Sequence, residues 1–320
     1  MNLLAIVVAL GLEQWRSFAW RASVERAFVS YVRGIERRLN GGTLGQGIVA
    51  TVLAIAPPVV IAALVWWFLD GLSSFLGLAF NVLVLYALMG FRRFSHAVSA
   101  IISALKSADL GGARRALAAW YGATTTEFTS HDVARLAIER GLADAYRQVF
   151  AVLFWFVVLP GPAGAVLYRG SALLAAQWKG ALPGDDMTVL ARSLAVFGRP
   201  ARLLLWLLDW IPSRLTALSF AVVGDFEDAA FCWRTQARAW PEAYGGEAIG
   251  VVLASGAGAL GVQLGGALPG DDGRPEPRPE IGMGDAVEAE VLPSAVGLVW
   301  RALVLWLLLV LLLSLANWAG

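Results

Sequence analysis

Cysteine, histidine and charge are all scarce in this chain of 320 residues. The single cysteine, Cys232, excludes an intrachain disulfide and a metal site built from several cysteines. With only two histidines, His96 and His131, a histidine-rich metal centre is not expected. The net charge of +1 lacks the basic excess of most nucleic-acid-binding domains, so we expect no nucleic-acid partner.

Apolar residues are correspondingly abundant. They make up 58% of the chain against 15% charged residues, and the mean hydropathy is +0.66. Soluble domains average about 45–50% apolar and about 25% charged residues, so this surplus has no place in a soluble fold. The composition predicts an all-α, polytopic helical membrane protein with about five to six spans and a cytoplasmic helical region. We expect one domain over residues 1–320, located in the inner membrane as a multi-pass protein.

Long apolar runs locate the expected spans. Four runs are predicted to cross the membrane: 47–69, 72–91, 149–168 and 294–317. A fifth span is predicted at 194–223, although Pro200 and Pro212 divide it. The run 2–12 is short, and it predicts either a first membrane helix or a re-entrant piece. The run 246–266 is rich in Gly and Ala, which favours close helix packing or, alternatively, a ligand wrapped by exposed backbone amides.

The polar segments between these runs are predicted to lie outside the hydrocarbon. Residues 16–40 are basic and amphipathic, which indicates a helix on the membrane surface or a cytosolic connecting helix. Residues 92–148 are predicted to be a cytoplasmic helical insert, because basic flanks favour the cytoplasm. Within this insert, Thr129 or Ser130 is expected to cap a helix. Residues 268–292, rich in Pro, Gly and acids, predict a flexible linker.

Several charged residues stand among the apolar segments, where charge is costly and is usually kept for a reason. We predict that they form a ligand-binding polar pocket that faces the cytoplasm: Glu139, Asp144, Arg169, Asp209, Arg214, Asp225, Glu227 and Asp228.

Simpler roles for these charges remain open. Glu139 with Arg135, and Asp144 with Arg140, have the i,i+4 spacing of solvated helix ion pairs. Asp209 and Arg214 could pair with each other or reach the headgroups as interfacial charges. The chain has no G-x-x-x-x-G-K pattern, so a standard nucleotide-binding loop is not expected.

Blocks of residues along the chain resemble the CobD/CbiB family. In order, these blocks are Glu139 to Trp155, Gly161-Pro162, Leu167-Tyr168-Arg169, Phe197-Gly198, Trp210-Ile211-Pro212, Arg214-Leu215-Thr216, Gly258 to Val262 and Leu264-Gly265-Gly266. The resemblance implies an integral membrane protein. The family's enzymes are adenosylcobinamide-phosphate synthases, which join a cobyric acid to aminopropanol or its phosphate through an amide, using ATP and Mg²⁺.

The chain departs from the family pattern at several polar positions. Glu139 matches the first acid of the family motif, but Ala143 stands where the second acid is expected, and Asp144 replaces an asparagine. Val152 stands at the proline of that motif, and the segment 203–206 lacks the family's acids. A Mg²⁺–ATP reaction needs oxygen ligands that Ala, Val and Leu cannot supply. This pattern is similar to AmpE, a non-synthase relative described as a membrane regulator of β-lactamase induction.

Three functions are compatible with these residues. The first is a non-catalytic, AmpE-like sensor or accessory regulator, with the lipid bilayer and a small-molecule ligand as partners and no cofactor. The alternative is a divergent synthase of cobalamin biosynthesis, an ATP-dependent amide ligase that would use Mg²⁺ and ATP. It would need Glu139, Asp144, Asp209 and either Glu227 or Asp228 as replacement ligands. A transporter or channel is the third, supported by the proline-broken spans but by no inverted repeat.

Overall fold

The chain folds mainly into α-helices, as its composition predicts. A computed structural model describes residues 2–15, 20–122, 126–179, 189–269 and 275–319. The helices within these residues are α1 (Asn2–Trp15), α2 (Arg21–Leu39), α3 (Leu44–Leu72), α4 (Ser74–Leu88), α5 (Phe91–Lys106), α6 (Leu110–Tyr121), α7 (Ser130–Ala145), α8 (Ala151–Val158), α9 (Ala163–Gln177), α10 (Val189–Phe197), α11 (Arg199–Val223), α12 (Phe226–Gln236), α13 (Gly246–Leu260) and α14 (Leu292–Ala319). A π-helical turn at Tyr146–Phe150 joins α7 to α8.

Four helical stretches are long and apolar enough to cross a membrane: Leu44–Leu72, Ser130–Val158, Arg199–Val223 and Ala289–Ala316. The predicted spans at 47–69, 194–223 and 294–317 fall on three of them. These stretches confirm the class of polytopic helical membrane protein.

Two predicted spans take a different form. The run 72–91 folds into α4, which has only 15 residues and is shorter than the roughly 20 that a span needs. The run 149–168 is divided, because α8 ends at Val158 and α9 begins at Ala163, after Pro160 and Pro162. Proline removes a backbone donor and blocks helix continuation. The long apolar helix here therefore extends N-terminally to Ser130 instead of C-terminally to Tyr168.

Short strands lie just before and within the segment 268–292, for which a linker is predicted. They are β1 (Val262–Gly265), β2 (Leu268–Pro269), β3 (Pro275–Glu276), β4 (Glu280–Gly282) and β5 (Asp285–Ala286). Strand β1 pairs with β4 in an antiparallel and with β5 in a parallel arrangement, and β2 pairs with β3. Leu264 and Ile281 face each other across the β1–β4 pair and are both fully buried, so the strand pairing also forms a small apolar core. Residues 270–274 of the predicted linker lie outside the described residues.

The chain divides into two compact units, where the sequence predicts a single domain. Unit 1 comprises Met1–Met89 and Arg147–Trp210, and unit 2 comprises Gly90–Tyr146 and Ile211–Gly320. In unit 1, α3 packs against α2, α4 and α9. In unit 2, α13 packs against α12, α7 and β4, and most of its residues are buried.

The helix that carries Glu139 begins where the sequence predicts. Thr129 is its N-cap: the Thr129 hydroxyl accepts from the backbone N–H of Asp132, and the Asp132 carboxylate accepts from the backbone N–H of Thr129. This reciprocal capping box satisfies amides that have no partner within the helix. It fixes the start of α7 and hence the position of the charged residues along it.

A proline inside α11 is compensated by a neighbouring aromatic side chain. Pro212 has no N–H, so the carbonyl of Leu208, four residues earlier, lacks its helical partner. The indole Nε1 of Trp155 donates to that carbonyl at 3.0 Å. This bond satisfies a polar group that water cannot reach in a membrane, so α11 continues past the proline as a helix.

Candidate functional site

Glu139 is a buried carboxylate whose oxygens both have partners in unit 2. Its side chain lies on α7 and is 6% exposed. The Oε1 atom accepts from the backbone N–H of Gly265 at 2.8 Å, and Oε2 pairs with the guanidinium of Arg278. The sequence offered a solvated pair with Arg135 as the simpler role for Glu139. The structure corrects this interpretation, because the partners of Glu139 are Gly265 and Arg278, which lie more than a hundred residues away in the chain.

Arg278 lies in an aromatic environment. Its side chain is 1% exposed, and its guanidinium lies 5.1 Å from the ring centre of Trp240 and 5.0 Å from that of Tyr244. Such cation–π contacts stabilise a guanidinium that has been removed from water. The Tyr244 hydroxyl donates to Glu276 at 3.1 Å. Sequence reasoning missed these residues, because an arginine in a Pro-rich segment resembles a solvated charge.

Two tyrosines at this cluster have a raised pKa. Burial is the main cause of the raised pKa of Tyr121; the nearby charge of Glu139 also raises this pKa, while Arg278 lowers it. Burial is again the main cause for Tyr244, and its hydrogen bond to Glu276 raises that pKa further. Both phenols therefore keep their protons above the usual range and remain hydrogen-bond donors.

Arg135 connects the start of α7 to the chain that follows β1. Its guanidinium donates to Asp132 Oδ1 at 2.9 Å and to the carbonyl of Ala267 at 2.8 Å. Gly265 and Gly266 lie beside it with φ of +75°, a conformation that glycine adopts without strain. Their amides bond to Glu139 and to the Pro279 carbonyl, so these two are not exposed amides that could wrap a ligand.

Asp144 forms the second buried carboxylate of unit 2. Its Oδ2 accepts from the indole of Trp120 at 3.0 Å and from Arg140 at 3.1 Å. The i,i+4 pairing of Asp144 with Arg140 is therefore present as the sequence predicts. The pair is only partly solvated, since the Asp144 side chain is 10% exposed and that of Arg140 is 41% exposed.

The other predicted site residues of unit 2 have local partners. Arg214 pairs with Glu247 at 3.1 Å. Asp225 is the N-cap of α12 and accepts from the backbone N–H of Asp228 at 3.0 Å, while Glu227 is exposed in the first turn. Acids at these positions stabilise the N-terminus of a helix through its unpaired amides and its dipole. A structural role thus accounts for this acidic segment.

Arg169 and Asp209, the remaining predicted site residues, belong to unit 1. Asp209 is buried and accepts from the Tyr168 hydroxyl at 2.7 Å. Arg169 pairs with Glu25 at 2.6 Å. Unit 1 therefore has its own buried polar contacts on α9 and α11, the helices that carry three of the family-like blocks.

The two buried acids of α7 are paired with arginines and are not grouped as free ligands for Mg²⁺. Mg²⁺ is bound by free carboxylate oxygens together with substrate phosphates. In the described part of the chain, no group of three or more His, Cys, Asp or Glu residues could hold a metal ion. Glu139 and Asp144 are instead paired with Arg278 and Arg140.

Comparison with known proteins relates nearly the whole chain to one family. The model of the family described as "CobD/Cbib protein" matches residues 8–299. A protein of Stutzerimonas stutzeri (strain A1501) named "Cobalamin biosynthesis protein CobD" is 35% identical over 312 residues, which cover 96% of each chain. A protein of the same name from Chromobacterium violaceum is 36% identical over 284 residues, or 89% of this chain and 84% of that protein. No solved structure matches.

Proposed function

Because the chain belongs to the CobD/CbiB family, we propose that it acts in cobalamin biosynthesis as an integral inner-membrane protein. The step is the one that the resemblance implies, in which a cobyric acid and aminopropanol or its phosphate are joined through an amide. The observation that carries the proposal is the similarity, over 96% of the chain, to a protein named for cobalamin biosynthesis. The names of these relatives favour a role in biosynthesis. The AmpE-like regulator was suggested instead by the polar positions at which the chain departs from the family motif.

The cluster on α7 supports this proposal through its chemistry. Glu139, which matches the first acid of the family motif, is held in one orientation by Gly265 and Arg278. The half-exposed groups beside it are Tyr121 and Arg140. A hydroxyl and a guanidinium can bind a carboxylate or phosphate oxygen of a polar substrate. The roles that we propose for these side chains are to bind and orient such a substrate.

Magnesium and ATP would supply the energy of amide formation in a family synthase. No group of acids among the described residues is arranged to hold them. The residues of the cluster act on the substrate directly, by hydrogen bonds and charge.

A non-catalytic member of the family is the second candidate. The observation that favours it is the pairing of both buried acids of α7 with arginines, together with Ala143 at the position of the second family acid. Such a protein would retain the scaffold and a ligand pocket without a reaction. The AmpE-like sensor belongs to this class.

Complementation separates the two candidates. We expect the chain to restore cobalamin-dependent growth in a strain that lacks the cobalamin synthase, and Glu139→Gln to abolish this rescue. The matched control is Glu227→Gln, which removes an exposed acid of unit 2 and should leave rescue intact. Absence of rescue by well-expressed, membrane-inserted protein would contradict the biosynthetic proposal. Restoration of the β-lactamase response in a strain lacking AmpE would then support the second candidate.

A further inference from the structure

The amphipathic helix α2 carries a cationic face that the protein itself does not use. Arg33 and Arg37 are one helical turn apart and exposed, and Arg38 is exposed beside them. None of the three forms a hydrogen bond or ion pair with the described residues. Side chains at i and i+4 share one face of a helix, so Arg33 and Arg37 present their charges together.

The opposite face of α2 is fixed by packing within unit 1. Val32 is fully buried in a core that includes residues of α3 and α9, and Phe28, Ile35 and Leu39 pack against this core. These apolar contacts set the rotation of the helix about its axis. The arginine face therefore points away from the protein.

One hydrogen bond and a short connection fix the position of α2 along α3. Only residues 40–43 separate the two helices, and the Tyr31 hydroxyl donates to the carbonyl of Leu53 at 2.6 Å. The helices therefore run antiparallel. The segment of α2 between Tyr31 and Leu39 lies beside the first turns of α3, at about residues 44–52.

The length of α3 indicates the environment of these turns. With 29 residues at 1.5 Å each, α3 is about 43 Å long, whereas the hydrocarbon core of a bilayer is about 30 Å thick. About nine residues therefore extend beyond the hydrocarbon. Asp70, near the distal end, is the only charged residue of α3, so the arginines that α2 brings to the proximal end are the reason to place the excess there.

The proximal turns of α3 also expose apolar side chains. Leu44, Ile48 and Val49 are each about half exposed. Exposed apolar residues beside exposed arginines fit neither pure water nor pure hydrocarbon, but they fit the headgroup layer, where both find favourable contacts.

We propose that Arg33 and Arg37, with Arg38 beside them, bind the phosphate groups of anionic phospholipids at one face of the membrane. Guanidinium groups suit this ligand, because they form charge-assisted hydrogen bonds with phosphate oxygens. This site is independent of the cluster on α7 and of the reaction proposed above.

The test compares lipid preference in the purified full-length protein. Native mass spectrometry counts the phosphatidylglycerol and phosphatidylcholine molecules retained by wild-type protein and by the double variant Arg33→Gln/Arg37→Gln. Each arginine near an anionic surface contributes about fivefold in affinity, so the double variant should bind phosphatidylglycerol about 30-fold more weakly. The matched control is Arg234→Gln/Arg238→Gln, which removes two exposed arginines of unit 2 and should keep the wild-type preference.

Two further measurements distinguish lipid binding by these arginines from other causes of a changed lipid preference. Arg33→Lys/Arg37→Lys keeps the charge and should retain most of the preference, which would attribute the preference to the positive charge at these two positions. Inorganic phosphate added to the wild-type complex should not displace the lipid at equal concentration, because it lacks the acyl chains that contact α3. An unchanged lipid preference in Arg33→Gln/Arg37→Gln would overturn the proposal. Equal losses in this variant and in the control would overturn it as well.

Discussion

The hydroxyl of Tyr31 bonds to the carbonyl of Leu53, which is the carbonyl that Pro57 leaves without a helical partner. Pro57 lies four residues after Leu53 and has no N–H to donate. An unsatisfied carbonyl is costly where the membrane limits the access of water. Tyr31, on α2, replaces the donor that Pro57 removes and so supports the continuation of α3 past this proline. Trp155 does the same for Leu208 in α11.

Replacement of Tyr31 by Phe should destabilise unit 1 by about 1–2 kcal/mol, because the Leu53 carbonyl loses its donor while the ring remains. The measurement is the free energy of unfolding of the detergent-solubilised protein, obtained by titration with a denaturing detergent. The matched background is Pro57→Ala, which restores a backbone N–H to the Leu53 carbonyl. In that background Tyr31→Phe should cost almost nothing, and an equal cost in both backgrounds would contradict the compensation.

The second compensated proline gives a parallel prediction. Trp155→Phe should destabilise the protein in the presence of Pro212, by about 1 kcal/mol or somewhat more, because Leu208 loses the indole donor. The cost should fall in a Pro212→Ala background, which is measured by the same unfolding titration. Because Phe is smaller than Trp, part of the cost reflects lost packing, and this part should persist in both backgrounds. Only the difference between the two backgrounds reports the hydrogen bond.

Much of the fold could be predicted from the sequence because it follows from local properties. Apolar runs of sufficient length locate the spans of α3, α11 and α14, and a hydroxyl before a helical pattern locates the start of α7. The divided run at 149–168 differs from its prediction because hydropathy averages over Pro160 and Pro162, whereas backbone hydrogen bonding does not.

The candidate site was less predictable, because its contacts join distant parts of the chain. Glu139 could be selected as a charge in an apolar segment, but its partner Arg278 lies in a Pro-rich stretch that indicates solvent exposure. Neither periodicity nor composition reveals that Trp240 and Tyr244 provide aromatic faces for this arginine. Only the tertiary structure shows that the acid and the base are buried together.

The buried pair of Glu139 and Arg278 should respond asymmetrically to substitution. Glu139→Gln alone or Arg278→Met alone leaves an uncompensated buried charge, which typically costs about 3–5 kcal/mol. The double variant has no buried charge at this point, so it should recover much of the stability lost in either single variant. Unfolding free energies of the four proteins form a cycle that measures the coupling. Additive effects would show that the two side chains do not interact.

The exposed salt bridge of Arg115 with Asp109 is a useful control for this cycle. The two groups are 3.8 Å apart and more than half exposed. Surface pairs of this kind contribute little, so Arg115→Gln and Asp109→Asn should show almost no coupling. A coupling there as large as that of Glu139 and Arg278 would indicate a general effect of charge removal instead of a specific buried contact.

The tyrosines beside Arg278 should make the protein sensitive to alkali. Burial raises the pKa of both Tyr121 and Tyr244 above the usual value of about 10. Below that pH both phenols are protonated in the folded and the unfolded chain, so they contribute no pH dependence. As the pH rises above about 10, the unfolded chain releases protons that the folded chain retains, and the stability falls.

Tyrosinate absorbance in the near ultraviolet measures this behaviour directly. The difference between the titration curves of wild-type protein and Tyr121→Phe should show one phenol that ionises above the usual range. Glu276→Gln should lower the pKa of Tyr244, because it removes a negative charge and replaces the carboxylate acceptor of the phenol proton with a weaker amide oxygen. The pKa of Tyr121 should respond less to this substitution, because Glu276 affects it less than burial and the charges of Arg278, Glu139 and Arg140 do. A Tyr121 that ionises in the usual range would contradict the partial burial of its phenol beside Glu139.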